Sequence, residues 1–203
     1  MRRTPNVVVA LVVDMRASSQ ILNRLFGDRS PSIPYLAPYL SLIRDMESEI
    51  ARYKHRHEFI PYKFTGDGWI VLFDANSAGA VLLDFIGTLS AWYESRSPRL
   101  TDLLNAPLDL HGLTFGLDNG LVKKVKMFER DEYIGRTIVI ACRLQSAARD
   151  STNRYAAYVS KWCYEKYFAT VSATDHSVCF PGDPVPNPCK SIRVPLDKVA
   201  RRS

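Results

Sequence analysis

Residues 63–73 read KFTGDGWIVLF, and residues 7–16 read VVVALVVDMR. In the first stretch strand formers flank a Gly-Asp-Gly. The expected form is a hairpin, with a strand over 58–65, a turn at Gly66–Gly68 and a strand over 69–73. In the second, seven apolar residues run without a break into Asp14, the pattern of a short strand buried in a core. Two lone carboxylates, Asp14 and Asp67, therefore close or open two hydrophobic strands.

The rest of the chain places these strands in a fold. Residues 18–26 read as a helix with Ser18 as its N-cap, and 27–34 as a Gly-, Pro- and Ser-bearing loop. From Tyr35 to Tyr53 the positions Leu36, Tyr39, Leu40, Ile43, Met46 and Ile50 recur at helical spacing. A basic cluster, Arg52, Lys54 and Arg56, suits the C-terminus of that helix. A helix is expected over 77–95, and RSPRLTDLLNAP reads as a connector. LDLHGLTFGLDNG (108–120) reads as a strand, with LVKKVKMF as its antiparallel partner. A helix closes 135–150, a short strand and helix follow in YAAYVSKWCYEKYF, and the proline-rich tail holds two short strands. The order is β-α-α-β-β-α-β-β-α-β-α-β-β in a single domain, 1–203. Its β-α-β-β-α-β core is ferredoxin-like: an α+β fold, with an antiparallel sheet and flanking helices. In such a sheet the first strand neighbours the β2–β3 hairpin, so Asp14 falls near Asp67.

Bulk properties narrow the classes. The chain has 203 residues, 46% hydrophobic and 24% charged, which suits one soluble domain. No apolar run reaches membrane-spanning length. The N-terminus offers a charged start but no small-residue cleavage site, and Asp14 interrupts the apolar run, so a first core strand is expected and not a signal peptide. The net charge of +6 suits an anionic partner, nucleotide or phosphate included, and suits plain solubility equally. Cys142, Cys163, Cys179 and Cys189 form no C-x-x-C or zinc pattern, and no HExxH-type spacing exists. Reduced thiols and a cytoplasmic location are expected.

Two converging carboxylates suit Mg²⁺, a hard cation that takes one or two carboxylates together with phosphates. Gly66 and Gly68 let the backbone turn tightly beside a ligand. Taken alone, GDG is a hairpin turn whose Asp caps backbone groups; the pair of acids is what points to two-metal chemistry.

Four segments, in order, resemble the catalytic domain of class III nucleotide cyclases. VVDMRASSQ resembles the first metal motif and KFTGDGWIVLF the metal hairpin. HGLTFGLDNG resembles the Gly-Ile-His-x-Gly strand and turn, and YIGRTIVIACRLQSAA the dimerisation and catalytic helix. The resemblance spans about residues 7–160. It implies two divalent cations, Mg²⁺ or Mn²⁺, on Asp14, Asp67 and the Met15 carbonyl. It implies that Arg143 stabilises charge at the transition state, with Lys63 and Glu132 at base-reading positions. Lys190 or Arg193 would meet the triphosphate. The active site would lie between two subunits of a homodimer, with metal aspartates from one chain and arginine from the other.

The sequence also departs from that pattern. Val139 stands where relatives carry a ribose-orienting asparagine; Arg136, seven residues before Arg143, is the candidate substitute. Ala17-Ser18-Ser19 replaces a Gly-Phe-Thr-like turn, and Leu110 replaces an arginine before the Gly-Ile-His-x-Gly strand. Glu132 is one methylene longer than the aspartate of adenylate cyclases, and Tyr62 adds a phenol beside Lys63. A longer arm suits a shorter base. With no sensor or membrane region beside the domain, the chain resembles small stand-alone bacterial pyrimidine cyclases of antiphage defence. Those make cyclic UMP or cyclic CMP for a separate cyclic-nucleotide-sensing effector. The expected substrate is UTP, then CTP, with ATP as the alternative. Two further readings stay open: a catalytically dead cyclase-like dimer, motivated by Val139, and a nucleic-acid module using LVKKVKMF, which leaves both aspartates unexplained. No nucleic-acid or membrane partner is expected.

Overall fold

The computed structural model describes residues 7–26, 33–104, 111–180 and 182–194. Leu110 lies outside these residues, as does most of the 27–34 loop. Strand β1 (Val7–Arg16) is followed by helices α1 (Ser18–Phe26) and α2 (Ile33–Lys54). Strands β2 (Phe59–Phe64) and β3 (Gly68–Asp74) form the expected hairpin, and α3 (Ala78–Leu104) leads to β4 (Gly112–Leu121). Then come β5 (Lys123–Met127), β6 (Arg130–Ile134), α4 (Arg136–Ala148), β7 (Tyr155–Ser160), α5 (Lys161–Tyr167), β8 (Ala173–Val178) and β9 (Asn187–Arg193).

The main sheet runs β2-β3-β1-β4-β7-β9-β8. Its first four strands keep the ferredoxin-like order. The sheet is mixed rather than wholly antiparallel, because β4 and β7 pair parallel. Parallel neighbours need a crossover, and α4 is that crossover. β1 lies between β3 and β4 and is buried on both faces, which explains its unbroken apolar run. Its side chains alternate. Val9, Leu11, Val13 and Met15 join the larger core with α2 and α3, while Val8, Ala10 and Val12 join Ile138 and Ala141 of α4. Asp14 and Arg16 continue the second set, so both face α4.

Two expectations fail. LVKKVKMF does not pair with β4. Its strand, β5, pairs with β6 in a separate two-stranded sheet through a turn at Phe128–Glu129. Both turn residues have positive φ, 48° and 61°, as a two-residue hairpin loop requires. The connector RSPRLTDLL is helical, because α3 continues through Pro98 to Leu104. Among the described residues no helix is long and apolar enough to cross a membrane.

α4 presses on β4 at one point. A Cβ on Gly116 would lie 2.0 Å from the Ala141 carbonyl oxygen and 2.3 Å from the Gln145 nitrogen. Only glycine permits this approach of helix to strand.

Candidate active site

Register brings the two aspartates together. Asp14 pairs with Gly68 across β1 and β3, and the Met15 amide donates to the Asp67 carbonyl at 3.2 Å. Each glycine of GDG has a separate reason. Gly66 takes φ +107°, and a Cβ on Gly68 would lie 2.0 Å from the Val13 carbonyl oxygen. β1 then turns into α1 at Ala17, in left-handed conformation at φ 60°, where the resemblance has its Gly-Phe-Thr turn. Ser18 does not act through its hydroxyl as a helix cap; its Oγ donates to Asp67 Oδ2 at 2.5 Å.

Asp14 is 3% exposed. Burial, then the neighbouring Asp67 carboxyl, pushes its carboxyl up to about 7, and the Arg149 guanidinium opposes this. Burial and both aspartates also push the Tyr39 phenol up, to about 12. Arg149 Nη2 donates to Asp14 Oδ2 at 2.5 Å, so a cation already sits on this carboxylate. Among the described residues no group of three His, Cys, Asp or Glu could hold a metal. Two carboxylates and a backbone carbonyl nevertheless fit Mg²⁺ or Mn²⁺ when a phosphate completes the shell. The donor set is all oxygen, and Asp14 is a carboxylate whose burial calls for a counter-cation.

In metal-free protein the folded Asp14 carboxyl holds its proton across a window where the unfolded one has lost it. Stability from this group is therefore lost as pH rises from about 4 to about 7. The loss is of order 4 kcal/mol. Chemical denaturation at pH 5 and pH 8 should show a smaller drop for Asp14→Asn than for the natural chain. Equal drops would refute the assignment.

The base-reading candidates form a second cluster. The register of β2 slips between Pro61 and Lys63, leaving Tyr62 as the extra residue of a bulge. Tyr62 therefore joins the α4-side cluster next to Lys63. Its hydroxyl donates to Glu132 Oε2 at 2.5 Å, and Lys63 Nζ stands 3.7 Å from the same oxygen. Burial, then Glu132, pushes the Tyr62 phenol up. The Tyr62 and Tyr133 rings meet edge-on at 5.1 Å.

Arg143 joins neither cluster. Its guanidinium lies 3.8 Å from Asp183 Oδ2 and 5.3 Å from the Phe180 ring centre. Asn187 Nδ2 in turn donates to Asp183 Oδ2 at 3.0 Å. Arg136, Val139, Arg143 and Ser146 make a stripe along the outer side of α4, and Val139 is 49% exposed. Arg136 also lines a cavity of about 140 Å³ with Asp118, Ser160 and Trp162.

The two tail cations part company. Arg193 pairs with Ala156, which pairs with Thr114, which pairs with Asp14, so Arg193 shares a row of the sheet with Asp14. Lys190 projects to the other face, 2.6 Å from Asp175 Oδ1 and 5.4 Å from the Tyr164 ring centre. The structure does not bring Lys190 to the aspartates.

Sequence reasoning missed Arg16, Arg149 and Asp183. Arg16 is 5% exposed and donates to three carbonyls: Arg149 at 2.6 Å, Ser151 at 2.7 Å and Asn153 at 2.5 Å. A signal existed, since Arg16 shares the face of Asp14 on a doubly buried strand. Its partners lie more than 130 residues away and carry no pattern.

Solved structures share this architecture. An adenylyl cyclase, CyaB from P. aeruginosa, superposes with TM-score 0.70 at 14% identity, over 92% of this chain and 93% of that one. The guanylyl cyclase Cya2 gives 0.66 at 17%, over 92% and 91%. A rhodopsin-guanylyl cyclase catalytic core with converted specificity, in complex with ATPalphaS, gives 0.61 at 13%, over 94% and 97%. No protein-family model and no curated protein matches the chain in sequence. The chain has the fold of a class III nucleotide cyclase catalytic domain.

Proposed function

We propose that this chain, built on the fold of adenylyl and guanylyl cyclases, is itself a nucleotide cyclase working as a homodimer. The observation that carries the reading is the register that sets Asp14 against the GDG turn, with the Asp14 and Asp67 carboxyls close enough to interact directly. Two Mg²⁺ or Mn²⁺ ions held by Asp14, Asp67 and the Met15 carbonyl oxygen would supply positive charge to the triphosphate and the ribose 3′-hydroxyl. The 3′-hydroxyl would give up its proton to solvent, its oxygen would bond to the α-phosphorus, the bond from that phosphorus to the bridging oxygen would break, and pyrophosphate would leave. Arg143 of the partner subunit presents a forked cation to the phosphoryl oxygens as charge builds there. Its stripe on α4 faces outward, which supports action across an interface. Arg136 is the residue on that stripe able to hold the ribose in place of Val139. Arg193 lies on the row of Asp14 and suits the triphosphate better than Lys190.

The base is read by Lys63, Tyr62 and Glu132. The Glu132 carboxylate accepts from Tyr62 and lies 3.7 Å from the Lys63 ammonium, and three side chains converging on one edge suit a short base, a pyrimidine. We take UTP as the substrate and cyclic UMP as the product, with CTP next and ATP as the alternative. The product would act on a separate effector, in the manner of antiphage signalling. Purified protein incubated with each of ATP, GTP, CTP and UTP, with Mn²⁺ and with Mg²⁺, tests this by product mass. A cyclic pyrimidine nucleotide supports the reading, cyclic AMP alone overturns the base assignment, and no cyclic product overturns the activity.

Glu132→Gln should raise KM for the preferred nucleotide about 10- to 100-fold, since a bond to a charged group is worth about 1.5–3 kcal/mol. Its kcat should change less, because the residue lies in the base cluster and away from the aspartates. An unchanged KM would remove Glu132 from base recognition. The second reading, a dead dimer that binds nucleotide, is favoured by Val139 alone: a half-exposed valine offers the ribose no hydrogen bond. The nucleic-acid reading loses its platform, because β5 is not part of the main sheet.

A further inference from the structure

We infer that Arg149 is an exchangeable cation of the active site: counter-ion to Asp14 in the free protein, and a phosphate ligand once a divalent cation has taken Asp14. This rests on the two-carboxylate metal reading above and adds a residue to it. The pair is one-sided. The Asp14 side chain is 5% exposed, while that of Arg149 is 51% exposed. Whenever it is ionised, the buried partner needs a cation, whereas the exposed partner can swing into solvent and stay hydrated. A divalent cation held by Asp14 would satisfy the carboxylate in place of the guanidinium. Arg149 would then be free, on the α4 face of the sheet beside Asp14, to take a phosphate. A planar fork of donors suits phosphate oxygens.

The backbone beneath Arg149 is held while its side chain is free to move. Arg16, two residues beyond Asp14 on the same face, donates to the carbonyls of Arg149, Ser151 and Asn153. One buried guanidinium thus fixes the loop after α4 against β1. This anchor keeps the arm of Arg149 within reach of both Asp14 and whatever Asp14 binds. Arg143, by contrast, is engaged by Asp183 and Phe180. Arg149 is therefore a cation supplied by the same chain as the aspartates.

The test needs no nucleotide base and no turnover. Mn²⁺ binding is measured by the electron paramagnetic resonance signal of the free ion, first alone and then with inorganic tripolyphosphate, whose own affinity for the Mn²⁺-loaded protein is read by calorimetry. Arg149→Gln, at an exposed position, should tighten Mn²⁺ alone and weaken tripolyphosphate, each by about tenfold. The opposite signs are the signature, since loss of structure would weaken both. Arg16→Met should weaken tripolyphosphate through a loosened loop while Arg149 remains present. If Arg149→Gln leaves both affinities unchanged, or weakens both, the exchange is refuted while the metal site stands. If the natural chain binds Mn²⁺ no better than Asp67→Asn does, with or without tripolyphosphate, the metal reading falls and this inference with it.

Discussion

Asp67→Asn and Arg143→Ala, each inactive alone, should recover activity when the two variants are mixed. Within one chain Asp67 lies with Asp14 and Ser18, whereas Arg143 lies with Asp183 and Phe180. Each pure homodimer lacks the same element in both of its sites. Turnover should fall about 10²- to 10³-fold or more in each, the scale on which removing one transition-state donor acts. A mixed dimer carries one site broken twice and one site intact. If subunits exchange at random, about half of the dimers are mixed and about a quarter of natural activity returns. Asp67→Asn keeps an oxygen for the Ser18 hydroxyl, so the fold should hold; a circular dichroism melt checks this. Mixing without any recovery, in dimers proven to exchange, would mean that Arg143 serves its own chain or no site at all.

The second large effect is on stability. Gly116→Val should destabilise the domain by about 3 kcal/mol or more, visible as a lower Tm and a lower denaturation midpoint. The Ala141 oxygen, the Gln145 nitrogen and the Gln145 Cα all stand within 2.8 Å of where the new Cβ would be. These are backbone atoms, so no side chain can step aside, and α4 must lift from β4. Ala141, Leu144 and Ala148, on the buried face of that helix, would lose their packing. Gly182→Ala is the comparison: φ there is +85° with nothing within 4 Å, so only left-handed strain of about 1 kcal/mol is added. Equal melting of the two variants would mean that α4 does not rest on Gly116.

How far the sequence foretold this depends on the range of each interaction. The pairing of Asp14 with the GDG turn was legible because alternation, glycine chemistry and strand order are local signals that agree. Glu132 and Lys63 came through the resemblance, and the bulge at Tyr62 explains why two consecutive residues reach one carboxylate. The β5–β6 hairpin was hidden because its turn, Phe128–Glu129, takes positive φ without glycine or asparagine to announce it. The length of α3 was hidden by Pro98, which reads as a break and lies inside the helix. Lys190 and Arg193 looked interchangeable in the tail; alternation along β9 puts them on opposite faces, and the β7–β9 register, which no local pattern encodes, decides that Arg193 takes the face of Asp14. Arg149, and the partners of Arg16, were unreadable because those contacts span more than 130 residues.

The place of β1 at the centre of the sheet has a bearing on synthesis. Its first neighbour, β3, ends at Asp74, but its second, β4, starts only at Gly112. While a ribosome makes the intervening stretch, one edge of seven consecutive apolar residues has no strand to meet. An unpaired edge of that composition is a template for other chains. Fragments ending between β3 and β4 should therefore precipitate where the whole chain does not. Slow translation through α3 would lengthen that exposure.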